Sequence, residues 1–212
     1  MSTLLHIDSS LNGERSHSRA TTAAFAEQWR ASNPTGTYVY RDVAADPIPH
    51  FDVAGHTAAN TTEADHTPEQ AAAWRITKPL IDEVSAADVI LLGAPMYNFT
   101  IPTTLKAWLD RLAVPAFSPD ADGRSALSGK RFIVATSRGG SYAPGTPRAS
   151  SDHQEPLLRT HLGFLGVDEN LKFIHTEMTL SLVVPALAEF KHVFEETRNA
   201  ARATARELAT VS

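Results

Sequence analysis

The chain has 212 residues, of which 42% are hydrophobic and 20% charged, and a formal net charge of −5 at pH 7. A chain of this length can bury about 70% of the surface that it exposes when unfolded, which favours a single domain over residues 1–212. The absence of cysteine excludes disulfides, thiolate catalysis and Cys-ligated metal centres, and the acidic balance gives no electrostatic basis for binding nucleic acid or an anionic membrane.

The first part of the chain predicts two strands and two helices. A short apolar run at Thr3–Ile7 is typical of a strand that is buried on both faces, and the polar loop Asp8–Ser18 leads from it into a helix. A second strand is predicted at Thr37–Val43, followed by a long surface loop over residues 44–66. Thr67-Pro-Glu-Gln70 starts the second helix, because Thr suits the N-cap, Pro the first position and Gln a capping box.

The rest of the chain continues the same alternation. In order, the pattern predicts a buried strand at Asp88–Pro95, a helix at Thr103–Ala113, an irregular stretch at Pro115–Gly129, a strand at Arg131–Thr136, a helix at His153–Leu165, a strand at Leu171–Thr176 and a long helix from about Pro185. Alternating strands and helices predict an α/β fold, a doubly wound sheet of five parallel strands with helices on both faces.

The sequence contains no sign of a membrane or export segment. No run approaches the 18 apolar residues that a membrane-spanning helix needs. The first ten residues have no basic region of the kind that begins a secretion signal. We therefore expect a cytoplasmic protein without a membrane partner.

Ligands of doubly wound sheets bind beyond the carboxyl ends of the strands, so the loops after the first, third and fourth strands are informative. The first loop carries the hydroxyls of Ser10, Ser16 and Ser18 next to a helix start, which favours a phosphate site. The alternative is that Ser16 or Ser18 only caps the helix. Because the loop has one glycine, Gly13, it lacks the dinucleotide fingerprint, and a monophosphate is the expected anion.

The second loop, Ala94–Pro102, is stiffened by two prolines and places aromatic side chains at a strand end. Tyr97 and Phe99, with the amide of Asn98, suit a flat conjugated ring with polar edges. The alternative is that Met96 and Phe99 fold back into the core.

The third loop, Ser137–Gly145, contains the pair Gly139 and Gly140, whose backbone N–H groups are open to close approach by a ligand. A serine hydrolase is excluded because Gly139-Gly-Ser-Tyr-Ala143 ends in Ala where a nucleophile elbow needs Gly. The nine histidines are scattered without ligand spacing, and no metal site is expected.

Together these loops resemble those of the FMN-dependent NADH:azoreductases, in the flavodoxin-like quinone reductase superfamily. The most specific segments are Ala94-Pro-Met-Tyr-Asn-Phe99 and Thr136-Ser-Arg-Gly-Gly140, supported by Arg41-Asp-Val-Ala-Ala-Asp-Pro-Ile-Pro49 and Leu162-Gly-Phe-Leu-Gly166. The resemblance covers nearly the whole chain. It implies bound FMN, held by Ser10, Ser16, His17, Ser18, Met96, Tyr97, Asn98, Phe99, Ser137, Arg138, Gly139 and Gly140.

The resemblance also implies an activity and an assembly. The expected reaction is two-electron transfer from NADH or NADPH through the flavin to quinones and aromatic azo compounds, by a ping-pong scheme without a catalytic side chain. A homodimer with the flavin near the subunit interface is expected. Ala113–Leu127 is a few residues shorter than its counterpart in the family, where it helps wall the substrate pocket.

Two other classes of protein remain compatible with the sequence. The first is a flavodoxin-like carrier that passes electrons to protein partners, and the second is an α/β binding protein without flavin. The long loops at 44–66 and 113–129 favour an enclosed substrate pocket and hence an enzyme.

Overall fold

The computed structural model describes residues 2–167 and 170–211. These residues contain one sheet of five strands, in the order β2-β1-β3-β4-β5, in which every neighbouring pair is parallel. The strands are β1 (Thr3–Asp8), β2 (Thr37–Asp42), β3 (Val89–Pro95), β4 (Arg131–Ser137) and β5 (Leu171–Thr176). The predicted doubly wound parallel sheet is confirmed.

Helices cover both faces of this sheet. They are α1 (His17–Ser32), α2 (Val53–Ala59), α3 (Pro68–Ala86), α4 (Thr103–Asp110), α5 (Gln154–Phe164) and α6 (Lys191–Thr210). Apolar residues of α1 and α6 pack on one face, where Phe25 and Ala205 are fully buried. Residues of α3, α4 and α5 pack on the other, where Trp108 and Leu158 are fully buried.

The elements differ most from the prediction in two places, while other boundaries shift by up to three residues. Residues 44–66, predicted as a loop, contain α2, because Asp52 caps it by accepting a hydrogen bond from the N–H of Gly55 at 2.8 Å. The last helix begins at Lys191 rather than near Pro185, since Pro185–Phe190 forms a 3₁₀ helix first. The predicted capping box of Thr67 and Gln70 is present at the start of α3.

The order of the strands decides which loops meet. β1, β3 and β4 are consecutive neighbours in the sheet, so the loops that follow them lie side by side at its carboxyl edge. In the described part of the chain, no helix is long and apolar enough to cross a membrane.

Candidate functional site

The hydroxyl of Tyr97 joins the loops after β1 and β3. It accepts a hydrogen bond from the N–H of Leu11 at 3.0 Å and lies 3.4 Å from Oγ of Ser10. The N–H of Met96 in turn donates to the carbonyl of Ser137 at 2.8 Å, which joins the loop after β3 to β4. The structure therefore brings together residues from all three predicted loops.

Asn98 and Phe99 form a tight turn at the end of β3. The turn is closed by two hydrogen bonds, from Tyr97 N to Thr100 O at 2.9 Å and from Thr100 N to Tyr97 O at 3.1 Å. Asn98 has a φ of 49° and Phe99 a φ of 70°, and two successive positive φ values are typical of a type I′ turn. Such strain in an aromatic residue persists only where its surroundings hold it, and it concentrates at functional sites.

The turn presents an aromatic side chain to solvent. The side chain of Phe99 is 47% exposed, and Met96 is half-buried. The alternative in which Met96 and Phe99 fold into the core is therefore wrong. The carbonyl of Phe99 accepts a hydrogen bond from His153 N at 3.0 Å, which fixes the turn against the start of α5.

Ser16 and Ser18 lie together at the start of α1. Ser16 is the N-cap, since its Oγ accepts a hydrogen bond from the N–H of Arg19 at 3.3 Å, and the two hydroxyl oxygens are 3.1 Å apart. Both side chains are buried. The pair carries two O–H protons and uses one in its mutual bond, so one O–H stays available to an anion. Capping and anion binding are thus compatible at this helix end.

His17 lies between these serines and packs on α6. Its ring meets Phe194 edge-on, with centroids 4.9 Å apart. Burial lowers its pKa, and the positive charges of Arg202 and Arg198 lower it further. These effects favour the neutral imidazole of His17, and the two arginines place positive charge near the serine loop. The sequence analysis missed these arginines because they follow some 180 residues later, on α6.

Arg19 is a second residue that the sequence analysis missed. Its guanidinium donates to the carbonyl of Ser10 from Nε at 3.2 Å and from Nη2 at 2.8 Å, and to Oδ1 of Asp42 at 2.7 Å. Burial favours protonated Asp42, but hydrogen bonds from Arg19, Ala45 and Ala44 hold its pKa below the usual value. Arg19 therefore fixes the main chain of the serine loop to the end of β2.

Gly139, Gly140 and the following Ser141 offer backbone donors at the end of β4. Their N–H groups have no acceptor among residues 2–167 and 170–211. The next N–H, of Tyr142, is bonded to the carboxylate of Glu177. Three successive backbone donors are therefore available to a ligand at the end of β4.

The side chain of Arg138 lies elsewhere than predicted. It was expected to line the ligand, but it is 2% exposed and lies in a cluster of acidic residues. Nη2 is 3.0 Å from Oδ2 of Asp152, and Nε donates to Oε1 of Gln154 at 3.2 Å. Its N–H and carbonyl are bonded to Thr176 and Thr179. The Arg138 side chain is thus directed to Asp152 and Gln154 and is not exposed at the site, while its main chain joins the loop to the residues at the end of β5.

The arrangement fits a flat, anionic ligand. A buried hydroxyl pair at a helix start suits a phosphate, an exposed aromatic turn suits a ring, and free N–H donors suit an electron-rich ring edge. In the ranges that the structure describes, no three His, Asp or Glu side chains are placed to hold a metal ion.

Comparison with known proteins identifies the same fold and also relatives that are similar in sequence over the whole chain. The family model described as flavodoxin-like fold matches residues 2–202. A protein of Parafrankia sp. named FMN-dependent NADH:quinone oxidoreductase is 46% identical, over 97% of this chain and 98% of its own length. One of the same name from Nocardia farcinica is 45% identical over 98% of each chain.

Solved structures agree in fold at lower identity. An azoreductase from Bacillus anthracis superposes with a TM-score of 0.84 at 23% identity and covers 99% of both chains. An FMN-dependent NADH-azoreductase from the same species, crystallised with FMN, superposes with a TM-score of 0.80 at 19% identity over 99% of this chain. The chain belongs to the flavodoxin-like fold family, together with the proteins named FMN-dependent NADH:quinone oxidoreductases.

Proposed function

We propose that this chain is an FMN-dependent oxidoreductase that transfers electrons from NADH to quinones. Relatives that share 42–46% of its residues over nearly its whole length carry the name FMN-dependent NADH:quinone oxidoreductase. The structural observation that carries the proposal is the convergence of three loops whose free donors match the parts of FMN. Hydroxyls gather at one end of the site and unpaired N–H groups at the other.

The residues fall into three groups along the cofactor. The phosphate end is assigned to the serine loop, the ring to the turn after β3, and the pyrimidine edge to the loop after β4. These groups are Ser10, Ser16, His17 and Ser18; Met96, Tyr97, Asn98 and Phe99; and Ser137, Arg138, Gly139 and Gly140. Arg138 acts through its main chain, because its guanidinium is buried among carboxylates.

Bound FMN would supply the two-electron chemistry between the nicotinamide and an acceptor. The protein contributes binding and electrostatics. The N–H groups of Gly139 and Gly140 stabilise the negative charge that reduction places at the pyrimidine edge, as backbone donors do in an oxyanion hole. The turn at Asn98–Phe99 gives the ring an aromatic wall whose strained backbone is fixed by hydrogen bonds.

Donor and acceptor are proposed to use the same space in turn. NADH or NADPH leaves before the quinone enters, which gives ping-pong kinetics. Aromatic azo compounds are proposed as further acceptors, and each needs two rounds to give two amines. In Ala113–Leu127, the segment that is shorter than its counterpart in the family, Val114, Phe117 and Leu127 are buried and most of the other residues are exposed. We expect this short segment to change the wall against which a bulky dye would lie.

A homodimer is proposed as the working unit. Helices cover the two faces of the sheet but not the site at its carboxyl edge, and a second copy related by a two-fold axis would close that site.

The test is a spectrum followed by rapid mixing. The purified protein should show flavin absorption bands in the blue and near ultraviolet, and these should bleach on mixing with NADH and return on adding benzoquinone. A colourless protein that binds no added FMN would overturn the proposal. Flavin that NADH fails to reduce rapidly would instead indicate an electron carrier.

A further inference from the structure

The loop after β4 is bound along its length by one short segment that follows β5. Three successive carbonyl groups of the loop accept hydrogen bonds from three successive N–H groups of that segment. These bonds run from Thr179 N to Arg138 O at 3.0 Å, from Leu180 N to Gly139 O at 3.2 Å and from Met178 N to Gly140 O at 3.2 Å. The oxygens are therefore all drawn toward the same side of the loop.

This pairing decides where the free donors point. The N–H and C=O of a trans peptide point in opposite directions, and the described residues contain no cis peptide. Because the carbonyls face Met178–Leu180, the N–H groups of Gly139, Gly140 and Ser141 face away from it. The segment follows β5 and β3 lies on the other side of β4, so the donors are turned toward the loop that contains Tyr97 and Phe99.

Glu177 fastens the loop to this segment. Its Oε1 accepts a hydrogen bond from Tyr142 N at 2.9 Å, and its Oε2 accepts one from Oγ of Ser141 at 2.5 Å. The residue is 6% exposed, and its own N–H donates to Oγ1 of Thr197 on α6 at 3.1 Å. One buried carboxylate thus fixes the residues immediately after the two glycines to a helix.

Two further features show that the fit is close. Met178 has a φ of 55°, a left-handed conformation that costs energy in a residue with a side chain and is retained where the surroundings enforce it. A Cβ atom on Gly139 would lie 2.7 Å from Cδ1 of Leu180, so the Leu180 side chain lies directly against this glycine and would have to move to admit a larger residue.

We propose that Glu177 is a positioning residue that, through Ser141, Tyr142 and the Met178–Leu180 segment, aims three backbone N–H donors at the pyrimidine edge of FMN. The inference rests on the proposed function. Glu177 does not touch the cofactor in this scheme. Its effect is to favour reduced over oxidised FMN, because the donors face the charge that reduction creates there.

The test compares Glu177→Ala with Glu155→Ala. Glu155 is a matched control, since its carboxylate lies 3.6 Å from a guanidinium nitrogen of Arg138, as that of Glu177 does, but bonds neither Ser141 nor Tyr142. For each variant, the dissociation constant of oxidised FMN from the apoprotein and the midpoint potential of bound FMN are measured. Together they give the ratio of the affinities for reduced and oxidised FMN.

Glu177→Ala should lower that ratio about tenfold or more, the effect of losing one hydrogen bond to a charged group, and Glu155→Ala should change it less than about twofold. Glu177→Gln keeps one acceptor for Tyr142 N, so its affinity ratio should lie between those of wild type and Glu177→Ala. It serves as the test variant if Glu177→Ala does not fold. An unchanged ratio in the Glu177 variants, or an equal fall in Glu155→Ala, would overturn the inference alone. A wild-type protein that binds no FMN would overturn the proposed function, and the inference with it.

Discussion

Arg19 on α1 and Asp42 at the end of β2 form an ion pair with Nη2 and Oδ1 2.7 Å apart, and the same nitrogen donates to the carbonyl of Ser10 at 2.8 Å. The carboxylate of Asp42 also accepts the N–H groups of Ala44 and Ala45 at 3.0 and 3.1 Å. The serine loop is therefore tied to the edge strand before any ligand arrives. Such preorganisation reduces the entropy that binding costs.

Replacing Arg19 with Met should weaken FMN binding about tenfold, because the serine loop loses its charge-assisted hydrogen bonds. Riboflavin, which lacks the phosphate, should bind the variant and the wild type equally. Titration of the apoprotein with each flavin measures both effects. Arg41→Met is the control. Arg41 lies on β2 next to Asp42 but pairs with Glu83, so this variant should leave both affinities unchanged. Equal weakening of FMN and riboflavin would contradict a role at the phosphate.

The double change Ser16→Ala and Ser18→Ala removes the buried hydroxyl pair. FMN affinity should fall at least about tenfold, since a hydrogen bond to a charged group contributes roughly 1.5–3 kcal/mol. Losing the cap of α1 should also lower the free energy of unfolding by about 1 kcal/mol. Thr67→Ala removes the cap of α3, which carries none of the residues assigned to FMN, and controls for that loss. Retention of FMN in the serine double variant would rule out the phosphate assignment.

The stability of the protein should depend on pH through His161. Burial lowers the pKa of His161 below 6.5, and its Nε2 lies 3.1 Å from the carbonyl of Leu109. The native state therefore binds fewer protons than the unfolded state, so this contribution is present above pH 6.5 and is lost as the pH falls through the native pKa. His161→Gln should flatten the fall in thermal midpoint between pH 7.5 and 5.5. His56→Gln, at an exposed position, should leave the pH dependence of the thermal midpoint as in wild type. If His161→Gln does not alter that pH dependence, His161 is not its source.

Steady-state kinetics test the alternating use of one site. Double-reciprocal plots against NADH at several fixed benzoquinone concentrations should give parallel lines. Simple quinones should be reduced faster than bulky azo dyes, because a dye needs two rounds and the shortened segment Ala113–Leu127 lies where we expect the acceptor to bind. Intersecting lines would contradict the ping-pong scheme, and faster turnover of a large dye would contradict the argument from the pocket.

Sedimentation equilibrium at micromolar concentration tests the assembly. We expect a dimer with FMN bound, since a second copy closes the carboxyl edge of the sheet. A monomer that turns over NADH and quinone at full rate would show that the site is complete in one chain.

The fold was predictable because its signals are local. β3 is a continuous apolar run, buried along its whole length, and the capping box at Thr67 fixes the start of α3. The ion pair of Arg19 with Asp42 was not predictable, because the two residues are 23 apart in the sequence and come together only when β2 pairs with β1. The partners of Arg138 are also distant in sequence, so the sequence analysis assigned its side chain to the ligand. Its acidic partners Asp152 and Glu177 lie just before α5 and just after β5, and they approach Arg138 only in the folded sheet.

The turn at Asn98–Phe99 also limits where the protein can be altered. Its carbonyl is bonded to His153, so a change in the length of this turn would displace the start of α5 as well as its own loop. Gly123, in contrast, lies in an exposed turn with no atom within 4 Å of the position of a Cβ. Libraries that seek a new acceptor range therefore have room for insertions around residues 119–124. At Asn98 and Phe99 the left-handed backbone excludes proline and disfavours β-branched residues, so a library there has fewer usable side chains.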